Sequence, residues 1–126
     1  MDKLQYKIYH ENKTHTPDDF PYNTYLCSIP LDFQSVNLHW HDEVEIIVIK
    51  KGIGIVSVDL TTYSVSAGDI IFILPGQLHS INQKDNEIME YENILFKSSL
   101  LKSSGYDLCS DKFIQHFFQA ALISAR

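Results

Sequence analysis

Eight short runs rich in β-branched and aromatic residues, at 25–29, 37–41, 44–49, 53–58, 63–65, 70–74, 78–82 and 88–96, follow one another along the middle of this chain. Turn residues separate them: Pro30, Lys51-Gly52, Asp59, Ala67-Gly68-Asp69, Pro75-Gly76 and Lys84-Asp85-Asn86. Strands at this spacing predict an all-β sandwich or barrel, because parallel βαβ units need a helix-length segment between successive strands. The chain has 126 residues, which suits one domain with one core. Two runs, 44–49 and 70–74, are apolar at both parities. A strand with water on one side alternates, so these two are expected to be covered on both faces, by a second sheet, a helix or a partner.

The ends differ from this middle. Residues 1–24 carry few apolar positions at either period and read as an arm with one short strand over 6–9. After the barrel segment, 25–97, the chain changes to helical character over 98–126. Residues 98–102 suit a single helical turn, and Ser110 suits an N-cap. Phe113, Ile114, Phe117, Phe118, Ala121 and Leu122 then form one stripe at helical spacing. Such a helix covers the barrel or serves a dimer interface, and no stop signal follows it before Arg126.

The formal charge of −6 argues against direct nucleic-acid binding by these residues, since phosphate contacts need clustered cations. The nearest cluster, Lys50-Lys51, is expected at a hairpin corner marked by Gly52. Cys27 and Cys109 stand far apart with no CxxC pair and read as reduced, buried thiols. The first twenty residues are polar and acidic, unlike a signal peptide, and no apolar run approaches membrane-spanning length. A cytoplasmic location is expected.

The chemistry concentrates in His39-Trp40-His41-Asp42-Glu43-Val44-Glu45 and in the segment ending at His79. Alternate residues of a strand share a face, so His39, His41 and Glu45 can point the same way. Three imidazoles and a carboxylate suit Zn, Fe, Mn or Ni with positions left open. Without a metal they form a polar cluster, in which a buried Glu45 needs a hydrogen-bonding partner. Ile47 shares parity with Glu45, and Ile71, Ile73 and Gln77 share parity with His79, which nominates Ile47 and Ile73 as further pocket residues.

The pattern His-x-His, three residues, Glu, six residues, Gly resembles the first cupin motif in full at His39, His41, Glu45 and Gly52. The second cupin motif is matched in part: Gly68 and His79 keep its separation, while Pro75 is displaced by one and Gln83 stands where Asn is usual. The resemblance implies a jelly-roll barrel. The wording of both segments, together with Glu92-Asn93-Ile94-Leu95-Phe96-Lys97-Ser98-Ser99-Leu100-Leu101, further resembles the N-terminal effector-binding domain of AraC-type transcription regulators. That likeness spans roughly 35–125. It implies a mobile arm, a helical homodimer interface, a small-molecule effector such as a carbohydrate, and a DNA-binding helix-turn-helix module outside these residues.

The remaining residues have plainer readings. Trp40 falls on the face opposite the histidines and suits packing. Glu43 shares their parity but is expected in a solvent-exposed turn, and Asp69 suits an Asx turn. His10, His15 and His116 have no partners at ligand spacing, and neither cysteine has a neighbouring base. The reading reached is the sensory domain of an AraC-type regulator and not an enzyme. The competing reading is a metal-dependent cupin enzyme, a dioxygenase or isomerase, with His39, His41, Glu45 and His79 as ligands.

Overall fold

One strand runs through both layers of the molecule. In the computed structural model, which describes residues 1–11 and 22–97, β3 spans Glu43–Val58. The other strands are β1 (Tyr22–Ile29), β2 (Ser35–His39), β4 (Thr61–Ser66), β5 (Ile70–Ile73), β6 (His79–Gln83) and β7 (Met89–Lys97). All pairings among these strands are antiparallel. The first half of β3 lies between β7 and β5, with β1 beyond β7. Its second half lies between β4 and β6, with β2 beyond β6. Two four-stranded layers sharing β3 make the expected jelly-roll barrel.

The sequence predicted a hairpin corner at Lys50-Lys51-Gly52. The structure instead has a bulge there, between Ile49 and Lys51 in the register with β7, with Gly52 at φ +77. The extra residue changes which parity points inward. Ile47 and Ile49 face the core before the bulge, and Val56 faces it afterwards. They meet Ile29, Val65, Ile73, Ile81, Met89 and Tyr91 from the other strands. The opposite parity, Val44, Ile46 and Val48, is also buried, against Ile94 and Phe96, as the two-faced apolar pattern demanded. On β5 that expectation fails on one side, because Phe72 is exposed and only Ile73 is fully buried.

The tight turn between β3 and β4 holds Asp59 and Leu60 at φ +48 and +67, the left-handed pair whose twist suits a two-residue hairpin. Asp69 accepts from the Ser66 N–H at 2.8 Å, the turn role expected of it. Residues 6–9 were expected to form a strand. Residues 6–8 belong instead to a short helix, α1 (Lys3–Ile8), with Tyr9 its C-cap, and the helix opens on a capping box in which Asp2 and Gln5 satisfy each other's backbone N–H groups. A capping box ahead of the helix-favouring Lys3, Leu4 and Gln5 outweighs weak strand alternation. No helix among the described residues is long and apolar enough to cross a membrane. The expectations placed on 98–126, with Cys109 and His116, and on His15 lie outside the described residues.

Candidate functional site

Each histidine of the motif pair is anchored by the chain beside it. His39 Nδ1 lies 2.7 Å from the Asn37 carbonyl, His41 Nδ1 3.0 Å from that of Glu43, and His79 Nδ1 2.9 Å from that of Gln77. A carbonyl only accepts, so each Nδ1 carries the proton and each Nε2 is turned toward the barrel lumen. The three ligand atoms lie within 4.8 Å of one another.

The scaffold explains this convergence. His39 and His79 are register partners across β2 and β6, with ring centroids 4.2 Å apart. The Gly76 N–H donates to the His41 carbonyl at 3.0 Å, linking the two motif segments directly. Gln77 was a candidate for the barrel interior, but positive φ at Gly76 breaks the parity that argument used. Its side chain turns away to accept from the Leu74 N–H and to donate to Asp59. The Asp59 carboxylate also accepts from the Leu78 N–H at 3.2 Å, so the β3–β4 turn braces the residue before His79.

Glu45 lies beneath the rings, 4% exposed. Its Oε1 is 2.9 Å from His41 Nε2 and 3.4 Å from His79 Nε2, and its Oε2 accepts from Asn93 Nδ2 at 3.3 Å. Burial alone would raise its carboxyl, but the imidazoles of His41 and His79 outweigh that and hold it far below the usual carboxylate range. Burial opposes the charging of His41, yet the Glu45 carboxylate raises it above its ordinary value. For His39 burial wins and, with His79 nearby, lowers it.

These groups sit in a cavity of about 280 Å³. Its walls include Tyr25, Cys27, Phe33, Val36, Ile81 and Leu95. Burial pushes both the Cys27 thiol and the Tyr91 hydroxyl upward, so both stay protonated, and a thiol so placed is a poor nucleophile. Glu11 and His39 retain some exposure at the solvent end, whereas Glu45 and His79 are enclosed.

The structure therefore brings His39, His41, Glu45 and His79 together. Ile47 and Ile73, nominated as pocket residues, are fully buried in the core and are absent from the cavity lining; parity placed them inward, but beside the pocket rather than on its wall. Glu43, expected in solvent, is 7% exposed because β3 begins at Glu43, opposite Lys97 of β7. Asp42 alone occupies the exposed position. Trp40 packs, as expected, stacking on Tyr6 at 4.5 Å and on His10 at 4.1 Å.

Sequence reasoning missed Tyr25, Cys27, Tyr91, Asn93 and Leu95. They share parity on paired strands, Tyr25 opposite Asn93 and Cys27 opposite Tyr91. The alternation Tyr91, Asn93, Leu95 was the available signal.

The set fits a divalent metal. Anchored Nδ1 atoms turn all three Nε2 atoms toward one point, which is how metal-binding histidines are usually oriented. His79 Nε2 is buried with no hydrogen-bond partner, so its 3.4 Å approach to Glu45 is a contact and not a bond. Two atoms bound to neighbouring positions of one ion at about 2.1 Å stand roughly 3.0–3.4 Å apart, close to the Glu45–imidazole separations. His39, His41, His79 and Glu45 would hold such an ion, which supplies Lewis-acid polarisation of a bound oxygen.

Known proteins agree with this architecture. A cupin protein from Bacteroides fragilis is 21% identical, with a TM-score of 0.60 over 75% of this chain and 81% of its own. A predicted oxalate decarboxylase from Thermotoga maritima is 28% identical, with a TM-score of 0.54 over 59% of this chain and 64% of its own. An uncharacterized HTH-type transcriptional regulator of Bacillus subtilis (strain 168), YdeC, is 31% identical over 78 residues, 61% of this chain and 27% of that protein. The chain thus matches about a quarter of the length of this curated relative. The AraC-like ligand binding domain family matches residues 25–122, and it is to this family, on a cupin-type barrel, that the chain belongs.

Proposed function

We propose that this domain is the effector-sensing part of an AraC-type transcription regulator. It binds one small cytosolic molecule in the barrel and signals to a DNA-binding helix-turn-helix module outside these residues. The arm (1–24), barrel (25–97) and C-terminal helical segment (98–126) are its working parts, the last serving a homodimer interface. Carbohydrates are the effector class that the family likeness favours. Signalling follows from differential affinity: an effector that binds one arrangement of arm and dimer better than another shifts the population toward it.

The observation that carries this reading is the cavity floor. Asn93 Oδ1 and His79 Nε2 are buried there without hydrogen-bond partners, beneath mostly apolar walls. Unsatisfied buried polar atoms are costly, and a ligand that completes them recovers that free energy. Calorimetry of the chain against a panel of monosaccharides, polyols and small acids tests the reading. A binder is expected, weakened about tenfold or more by Asn93→Leu, since losing one such hydrogen bond costs about 1–3 kcal/mol. A binder indifferent to both Asn93→Leu and His79→Ala would place recognition elsewhere.

The anchored imidazoles favour a second reading, a metal-dependent cupin enzyme of the dioxygenase or isomerase kind. Elemental analysis of untagged protein separates the two: that enzyme needs near-stoichiometric Zn, Fe, Mn or Ni, lost in His79→Ala, whereas a metal-free sensor keeps its effector binding in chelator.

A further inference from the structure

The amino-terminal segment does not merely lie near the site; it is bonded to both stretches that carry the histidines. The Tyr6 hydroxyl donates to the Gly76 carbonyl at 2.6 Å, and Trp40 Nε1 donates to the Tyr6 carbonyl at 2.8 Å. The Trp40 N–H donates to Tyr9, and the Glu11 N–H donates to Trp40. Trp40 stands between His39 and His41 in the chain. This docking sets the Glu11 side chain at the cavity, where its Oε2 lies 3.5 Å from His39 Nε2.

His39 Nδ1 is held by the Asn37 carbonyl, which leaves Nε2 facing the Glu11 carboxylate. The contact of His79 Nε2 with Glu45 Oε1 has the same form at 3.4 Å, with His79 Nδ1 held by Gln77. One divalent ion among the rings would take both Nε2 atoms and both carboxylate oxygens as ligands. The 3.5 Å separation is near that of two ligands at neighbouring positions on one ion.

We infer that Glu11 is a further metal ligand, so that a divalent transition-metal ion held by His39, His41, His79 and Glu45 also clasps the amino-terminal segment to the barrel. This rests on the metal-holding reading of the site, and the test separates the two. Untagged full chain is titrated with Zn²⁺ and with Co²⁺, whose visible spectrum reports its ligand set, alongside Glu11→Gln and His79→Ala. Trypsin cleavage after Lys7 is followed with and without metal. Glu11→Gln is expected to bind about tenfold or more weakly, as loss of even an indirect metal partner costs 10–100-fold, and to change the cobalt spectrum. Metal is expected to slow cleavage after Lys7 severalfold in the unmodified chain and to have little effect in Glu11→Gln. Equal affinity, an unchanged spectrum and equal protection in Glu11→Gln overturn the role of Glu11 while leaving the metal site standing. No metal binding by the unmodified chain, or binding that survives His79→Ala, overturns both. Unfolding midpoints matched in chelator show that Glu11→Gln folds normally.

Discussion

Glu45 shows how one buried carboxylate organises its surroundings. In the metal-free protein its negative charge is met by the proton on His41, at 2.9 Å. Replacing it by Gln leaves that proton without a counter-charge and should cost roughly 3 kcal/mol, the scale of breaking a buried pair from one side. The dependence on pH follows from the two shifts. The depressed carboxyl contributes stability above its ordinary 4.5, and this is lost as pH falls toward the folded value. The raised His41 contributes fully below its ordinary 6.5, and this is lost as pH climbs through the folded value. The stability gap between the native chain and Glu45→Gln should therefore be widest between pH 4.5 and 6.5, narrowing on either side. Urea denaturation in chelator measures it, and a gap flat across pH would refute the pairing.

At the scale of elements, β3 carries the architecture because it bends without breaking. Its bulge lets Glu45, Ile47 and Ile49 face inward from one layer and Val56 from the other. Gly52 makes the bend: its φ is +77, and a Cβ there would overlap the Ile88 carbonyl oxygen. Gly54 has no such backbone constraint. An added Cβ would crowd Met89 Sδ at 2.5 Å and Cε at 2.6 Å, the far end of a flexible side chain that can swing away. Gly52→Ala should thus destabilise by more than about 2 kcal/mol, combining left-handed strain with backbone overlap, and Gly54→Ala by clearly less. Equal losses in thermal unfolding would mean that the bend does not depend on Gly52.

Taken whole, the molecule is closed by contacts distant in sequence. β1 pairs with β7 along its length, and β3 pairs with β4, β5, β6 and β7. Among the described strands only the β3–β4 hairpin is local. Forming such a barrel requires long loops to close before their contacts reward them, so refolding should take milliseconds to seconds. Stopped-flow fluorescence of Trp40 tests this, and complete refolding within microseconds would contradict the topology. The ligand cavity depends on the same closure, since its walls come from β1, β2, β3, β6 and β7, and none of these strands encloses it alone.

Local pattern carried much of this fold. Alternation and turn residues located every described strand, though they also placed one over 6–9 where α1 lies, and the spacing of His39, His41 and Glu45 announced that they share a face. Those are properties of one strand and its own backbone. The tertiary structure decided what lies opposite that face. Asn93 reaches Glu45, Tyr91 sits beside Cys27, and Glu11 meets His39 because of pairing and docking across the barrel, which no periodicity within a strand encodes. The bulge at Gly52 decided that two apparent strands are one, and the register with β7 buried Glu43. Short-range sterics write themselves into residue order; the meeting of distant segments depends on how whole strands align, and is settled only when the barrel closes.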